Sequence, residues 1–255
     1  MREINPAYEI ERSAAFIRSY CQQAGVTKVV IGLSGGIDSS LSATLAVQAL
    51  GKDNVLGLLL PYRKSSAHSA GDATILADWL GIKTQTIDIS PMVDAYFAMH
   101  QNEVTSLRKG NFMARMRMSV LYDFSSQESA LVLGTSNRTE LLVGYFTQYG
   151  DGACAFEPIG HLYKTEVRLL SRVLGIPQSI IDKAPTADLW DGQTDEGELG
   201  ISYPVLDEIL YQLTEENLDV TEASKLSFPL ATYHHVQKLI SRSEFKRLLP
   251  PVLEQ

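Results

Sequence analysis

The sequence predicts an α/β fold: a doubly wound, mostly parallel sheet with helices on both faces. Two observations carry this. Short β-branched apolar runs alternate with stretches of helical periodicity along the first half of the chain, and glycine-bearing polar loops follow two of the strands. With 255 residues, 45% of them hydrophobic, the chain is also long enough to cover both faces of a sheet within one domain, residues 1–255.

The elements follow in order. Lys28 to Leu33 (KVVIGL) is a continuous apolar run between Gly25 and Ser34-Gly35-Gly36, which suits a strand buried on both faces. Ser39 to Leu50 has apolar residues at 41, 45, 49 and 50 and stops at Gly51, a helix with its C-terminal glycine. The unit repeats: Val55 to Leu60 is a strand, Ser66 to Leu80 a helix stopped by Gly81, Thr84 to Ile89 a strand ended by Pro91, and about Met92 to Asn102 a helix. Asn111 to Ser126 reads as a helix, and Ala130 to Leu133 as a strand running into Gly134-Thr135-Ser136-Asn137, with a new helix from Thr139. From Lys164 to Leu174 onward the chain is helical, with turns at Pro177, Pro185 and Pro204. No repeat or low-complexity tract interrupts it.

Composition excludes several classes. A formal net charge of −8 disfavours a nucleic-acid track, and the basic stretch Arg108, Lys109, Arg115, Arg117 reads on charge alone as a solvated helix face. Two cysteines, Cys21 and Cys154, and the adjacent His234 and His235 offer neither a disulfide framework nor a zinc spacing. No run approaches the length of about eighteen apolar residues that a membrane span needs, and the N-terminus lacks secretory features. The expectation is a cytoplasmic protein without membrane or nucleic-acid partners.

The chemistry is concentrated in Ser34-Gly35-Gly36-Ile37-Asp38-Ser39-Ser40. Paired glycines after a buried strand let backbone N–H groups turn toward an anion, and the following helix presents its positive end to the same place. Serine hydroxyls add donors. Asp38 would repel phosphates unless it held a cation, so Mg²⁺ is implied. No Gly-Lys-Ser/Thr follows, so this is not the Walker loop. Thr135 and Glu140 stand at a later strand end; taken alone they are a helix cap and a first-turn acid, but their position relative to the Ser34 loop favours nucleotide and metal contacts. On sequence alone Lys164 reads equally as a solvated helix residue and Thr186 as a turn residue after Pro185.

The strings SGGIDSS, NFMARMRM (111–118), LVLGTSNRTE (131–140), GYFTQYGDG (144–152), LYKTEV (162–167), KAPTADLWDGQTDE (183–196) and ELGISYPVLD (198–207) together resemble the ammonia-dependent NAD synthetases, within the N-type ATP-pyrophosphatase superfamily with its adenine nucleotide alpha hydrolase-like fold. The resemblance implies a ligase. Deamido-NAD (nicotinate adenine dinucleotide) would attack the α-phosphorus of ATP, pyrophosphate would leave, and ammonia would displace AMP from the acyl adenylate. It implies ATP and Mg²⁺ as cofactors, Asp38, Lys164 and Thr186 as catalytic residues, and Asp38 with Glu140 as metal ligands. It extends the nucleotide contacts from the loop to Gly32, Leu33, Thr135, Lys164, Thr186 and Lys246, assigns Arg115 to the deamidated dinucleotide, and makes Asp191 to Glu198 a closing lid. A homodimer is implied too. The motifs come without a glutaminase or nitrilase-like segment, as in the form that takes free ammonia or receives it from a separate partner.

Three positions depart from the family pattern. Gln148 stands where lysine is usual, Ala155 where aspartate is usual, and Phe245 where histidine precedes Lys246-Arg247. All lie on the acceptor side, with Glu157 near enough to Ala155 to substitute for its carboxylate. The alternatives are therefore the same chemistry on another carboxylate, such as nicotinate mononucleotide, or an ATP-binding regulator without turnover; the intact Asp38 and Glu140 argue against the latter.

Overall fold

The computed structural model describes residues 2–63, 67–99, 103–186, 190 and 192–253. The first helix, α1 (Pro6–Gln23), is entered through Asn5, whose side chain accepts from the Tyr8 N–H. Its buried residues Ile10, Ala14, Ile17 and Cys21 recur at helical spacing and turn one face of the helix to the core. There follow β1 (Lys28–Gly32), α2 (Ile37–Leu50), β2 (Val55–Leu59), α3 (Ala67–Leu80), β3 (Lys83–Thr86), α4 (Ser90–Ala98), α5 (Ser106–Glu128), β4 (Ala130–Val132) and α6 (Arg138–Val143). The rest is helical: α7 (Lys164–Val173), α8 (Gln178–Asp182), α9 (Asp195–Leu199), α10 (Tyr203–Thr214) and α11 (Leu230–Ser243).

The four strands form a parallel sheet of order β3-β2-β1-β4. β1 lies inside, with Val29 opposite Val55 on one side and Leu131 on the other. Because the chain winds outward to β2 and β3 and then returns to place β4 beside β1, the crevice beyond the carboxyl ends of β1 and β4 is the topological switch point. Successive residues of β1 serve opposite faces. Val29 and Ile31 join a core with Ile17, Leu41, Leu45, Leu76, Val167 and Leu170, whereas Val30 joins Leu58, Val93, Met113 and Val120. A third cluster, centred on Tyr163, Leu206, Leu210, Tyr233 and Val236, packs α10 and α11 against α6.

Boundaries differ from expectation in instructive places. β3 ends at Thr86 rather than Ile89, although the backbone bonds Ile87 N–H to Leu59 O and Ile89 N–H to Pro61 O, both 2.9 Å, carry the chain onward. α4 begins at Ser90 with Pro91 in its first turn, where proline costs no hydrogen bond; residues 100–102 of the expected helix lie outside the described residues. α5 starts at Ser106, capped by Thr105, and reaches Glu128 before Ser129 turns left-handed at φ 50°. Among the described residues no helix is long and apolar enough to cross a membrane.

The outer edge of β4 is covered by the segment around Phe156, which pairs in parallel with Leu133 and exchanges Gly134 N–H to Phe156 O and Ala155 N–H to Val132 O, both 2.9 Å. Glu157 then passes directly beneath Gly134. A Cβ at 134 would stand 2.2 Å from Glu157 Oε2 and 2.6 Å from Cys154 Sγ, so only glycine fits. Glu157 Oε2 accepts from the Ser136 N–H at 3.0 Å, while Oε1 is buried without a hydrogen-bond partner. Burial pushes this carboxyl up to about 7.

A carboxyl that holds its proton more tightly folded than unfolded makes the native state lose stability as pH rises from the ordinary carboxylate range to its folded pKa. The wild type is therefore expected to lose up to about 3 kcal/mol between pH 4.5 and 7 from this group, and Glu157→Gln to remove that slope. Urea titrations of both proteins across this range test it; parallel profiles would show that Glu157 titrates normally.

Candidate active site

The loop at the switch point is shaped by its own serines. Gly35 takes φ 71°, and Gly36 enters α2 in an extended conformation with no side chain capping the helix. Ser34 Oγ and Ser39 Oγ lie 3.0 Å apart, and Gly36 N–H donates to Ser34 Oγ at 3.2 Å. The Ser39 and Ser40 hydroxyls donate back to Gly36 O at 3.1 and 2.8 Å. All three hydroxyls expected to face an anion thus brace the loop. What remains for the anion is the first turn of α2, whose N–H groups lack intrahelical partners, at the positive end of the helix dipole. Gly32 and Leu33 lead in from β1, with Leu33 N–H bonded to Leu58 O at 2.8 Å.

Asp38, in the first turn of α2, meets residues from two other helix starts. Asn137 caps α6: its side chain accepts from Glu140 N–H at 3.0 Å, Glu140 Oε2 accepts from Asn137 N–H at 3.3 Å, and Asn137 Nδ2 donates to Asp38 Oδ1 at 2.8 Å. Lys164 opens α7 and is not solvated but 2% exposed. Its ammonium donates to Asp38 Oδ2 at 2.5 Å and to Glu140 Oε1 at 2.9 Å, and stands 5.0 Å from the centre of the Tyr203 ring. Burial alone would lower the Lys164 pKa, but Asp38 and Glu140 overcome it and hold the ammonium above the ordinary lysine value. Burial, together with the Asp38 charge, pushes Glu140 upward against the pull of Lys164.

The backbone beneath is locked. Lys164 N–H donates to Thr139 Oγ1 at 3.0 Å, Thr139 Oγ1 donates to Asp207 Oδ1 at 2.6 Å, and Thr165 N–H donates to Asp207 Oδ2 at 2.8 Å. Thr139 and Asp207 are fully buried. One carboxylate on α10 therefore fixes the starts of both α6 and α7. Beyond Tyr203, its hydroxyl donates to Asp195 at 3.0 Å, and the Tyr145 hydroxyl faces Asp195 and Glu198 at 3.1 and 2.5 Å. The expected lid begins at Asp191, outside the described residues; from Asp195 it is the short helix α9, tied down through these tyrosines.

Asp38 and Glu140 aim oxygens at one cation position, the one Lys164 Nζ fills. Among the described residues no three Asp, Glu, His or Cys side chains gather into a metal cage. Two carboxylates still suit Mg²⁺, which completes its shell with waters and substrate phosphates.

The other expected residues are more dispersed. Thr135 sits half-buried in the loop after β4, two residues before Asn137, which takes the capping role. Thr186 lies half-buried after α8. Arg115, on α5, donates to Gln148 O at 3.2 Å. Lys246 donates to Gly144 O and Phe146 O at 2.7 and 2.8 Å, next to the segment carrying Gln148; Phe245 is 61% exposed. Ala155 packs instead against the α1 side of the core. Tyr203 and Asp207 carry no local signal in the sequence, whereas Asn137-x-x-Glu140 is a capping-box signature that flags Asn137.

Comparison with known proteins places this geometry. The chain is 50% identical to the NH3-dependent NAD+ synthetase of Fusobacterium nucleatum over 235 residues, 92% of this chain and 91% of that protein. It is 49% identical to that of Methanosarcina acetivorans over 247 residues, 95% and 96% of the two chains. Among solved structures, the NMN synthetase from Francisella tularensis superimposes with a TM-score of 0.88 at 34% identity, covering 99% of this chain and all of that one. The NH3-dependent NAD synthetase from Campylobacter jejuni, in complex with the nitrate ion, does so with a TM-score of 0.84 at 35% identity and the same coverage. The family model described as NAD synthase matches residues 9–250, and with a phosphate-type loop at the switch point facing a buried lysine between two carboxylates, the chain belongs to the NAD synthase family.

Proposed function

We propose that this chain is an ATP-dependent ligase that converts deamido-NAD to NAD with ammonia. The observation that carries the reading is the convergence of Asp38, Glu140 and Lys164 on the open N-terminus of α2. A nicotinate carboxylate oxygen attacks the α-phosphorus and the bond to the β-phosphate breaks, so negative charge builds on the departing pyrophosphate. The α2 amides and the Lys164 ammonium meet that charge. Ammonia then attacks the acyl carbon, the C–O bond to AMP breaks, and the nitrogen sheds a proton. Mg²⁺ held by Asp38 and Glu140, with the Lys164 ammonium turned from them toward the phosphates, would supply charge neutralisation. Thr135 and Thr186 line the ATP side, and Arg115 and Lys246 border the acceptor side.

A homodimer belongs to this reading. Leu248, Leu249, Val252 and Leu253 are 61%, 89%, 86% and 95% exposed, an apolar surface suited to a second copy.

A second reading has its own support. Gln148 and Phe245 remove charge beside Arg115 and Lys246, and a well-superimposed relative is named an NMN synthetase. On this reading the acceptor is nicotinate mononucleotide, with the adenylating half unchanged.

Asp38→Asn and Glu140→Gln are each expected to lower kcat by about 100-fold or more, since the lost charge acts where charge develops. Each substitution is also expected to lower stability, because it removes one of the two carboxylates that compensate the buried Lys164 ammonium. Pyrophosphate release and thermal melts measure both, and wild-type rates in either variant would remove that residue from the mechanism.

The acceptor is decided by kcat/KM for deamido-NAD against nicotinate mononucleotide. Deamido-NAD is expected to be preferred, with a KM well above that for ATP, and Gln148→Lys with Phe245→His to lower that KM by about tenfold or more through restored charge-assisted hydrogen bonds. Preference for the mononucleotide in the unmodified protein transfers the assignment to the second reading.

A further inference from the structure

The glycine loop brings no lysine of its own, and Lys164 is already shared between Asp38 and Glu140. The fold delivers another cation to the loop from 148 residues away. Lys183 Nζ lies 3.4 Å from Gly35 O and forms an ion pair with Asp72 Oδ2 at 3.0 Å. The pair is mostly enclosed, with the two side chains 21% and 14% exposed. Lys183 stands where α8 gives way to extended backbone, at φ −60° and ψ 132°. The same short segment carries Thr186 and is fixed through Asp195 N–H to Pro185 O at 3.2 Å.

Three features point to an anion at this ammonium. It touches the backbone of a loop whose following helix has no side-chain cap, so ammonium and helix dipole address the same space. Asp38 and Glu140 both bring carboxyl groups to this space and Lys164 lies between them, so a further ammonium adds the positive charge that a polyphosphate requires. Finally, the Asp72 partner gives the ammonium a compensated position before ligand arrives, so that binding exchanges one anion for another rather than burying a lone charge.

Resting on the ligase reading above, we infer that Lys183 is a phosphate-binding residue, which leaves Asp72 for the β- and γ-phosphate oxygens of ATP and keeps hold of the departing pyrophosphate. A static tie between α3, α8 and the loop would use the same contacts but would not distinguish pyrophosphate from AMP, which lacks those two phosphates.

The test is calorimetric binding of inorganic pyrophosphate and of AMP, each with Mg²⁺, to the wild type, Lys183→Gln, Lys183→Arg and Asp72→Asn. Lys183→Gln should bind pyrophosphate about ten- to a hundredfold more weakly, the equivalent of one lost charge-assisted hydrogen bond, with AMP affinity within twofold of wild type. Lys183→Arg should recover most of the loss, and Asp72→Asn should bind pyrophosphate at least as well as wild type. Unchanged pyrophosphate affinity in Lys183→Gln overturns the inference, as does equal loss of AMP and pyrophosphate that arginine does not repair. Turnover of the wild type on deamido-NAD is measured beside these: an active wild type with an indifferent Lys183 refutes this inference alone, whereas a wild type that neither releases nor binds pyrophosphate refutes the ligase reading and this inference with it.

Discussion

A single buried ammonium organises this protein. Lys164 is 2% exposed and begins a helix, where the dipole is unfavourable to a cation and burial adds a further penalty. Its position is tenable only because Asp38 and Glu140 reach it, and both of them occupy first turns, where the dipole favours an anion. The starts of α2, α6 and α7 are therefore interdependent. Each supplies a group whose burial the other two make possible, and an anionic substrate entering at α2 meets a set of charges already fixed in relative position.

Fixing them falls to a part of the chain that carries none of the phosphate-loop signature. α6 has only six residues, too few to persist on helix propensity, so it must be held at its ends. At its start the Asn137–Glu140 capping box and the Thr139–Asp207 bond do so. At its end Arg247 Nη1 donates to Leu141 O and Leu142 O at 3.1 and 2.6 Å, and Lys246 donates to Gly144 O. Gly144 itself sits at φ 69° with Ser243 pressed against it, where a Cβ would lie 2.1 Å from that of Ser243. The C-terminal helices thus act as a mould for α6, and through Asp207 for α7. Lys246, expected from the family resemblance as a ligand contact, is in this structure a carbonyl clamp.

What was legible in the sequence was local. β1 and β2 show as short apolar runs, and the Ser34–Ser40 loop shows because paired glycines, serines and an aspartate crowd between a strand and a helix. Residues whose meaning comes from distant partners did not show. Lys164 reads as a surface helix residue until Asp38, 126 positions earlier, is brought against it. Asp207 reads as one more acid on an amphipathic helix, although its two oxygens fix Thr139 and Thr165. Family motifs recovered Lys164 because the string LYKTEV encodes in sequence what geometry explains only after folding. β3 was overextended for the opposite reason: Thr84–Ile89 keeps strand-like backbone bonds at Ile87 and Ile89, but the ladder itself stops at Thr86.

The separation of labour within the site bears on how such an enzyme can change. The groups proposed for adenylation are locked together by buried ion pairs and hydrogen bonds, so substituting one disturbs the others, and their effects should be non-additive. The side proposed for the acceptor is built differently. Arg115 reaches across from α5 to a backbone carbonyl at Gln148, and Lys246 likewise holds backbone carbonyls at Gly144 and Phe146. These contacts depend on the course of the 144–148 segment rather than on its side chains. Gln148 and Phe245 can consequently replace charged residues without loosening the frame that carries them, while a change at Asp38 or Lys164 could not. Variation in this chain falls where the framework hydrogen bonds are made by the backbone, and it spares the positions where charged side chains are themselves the framework.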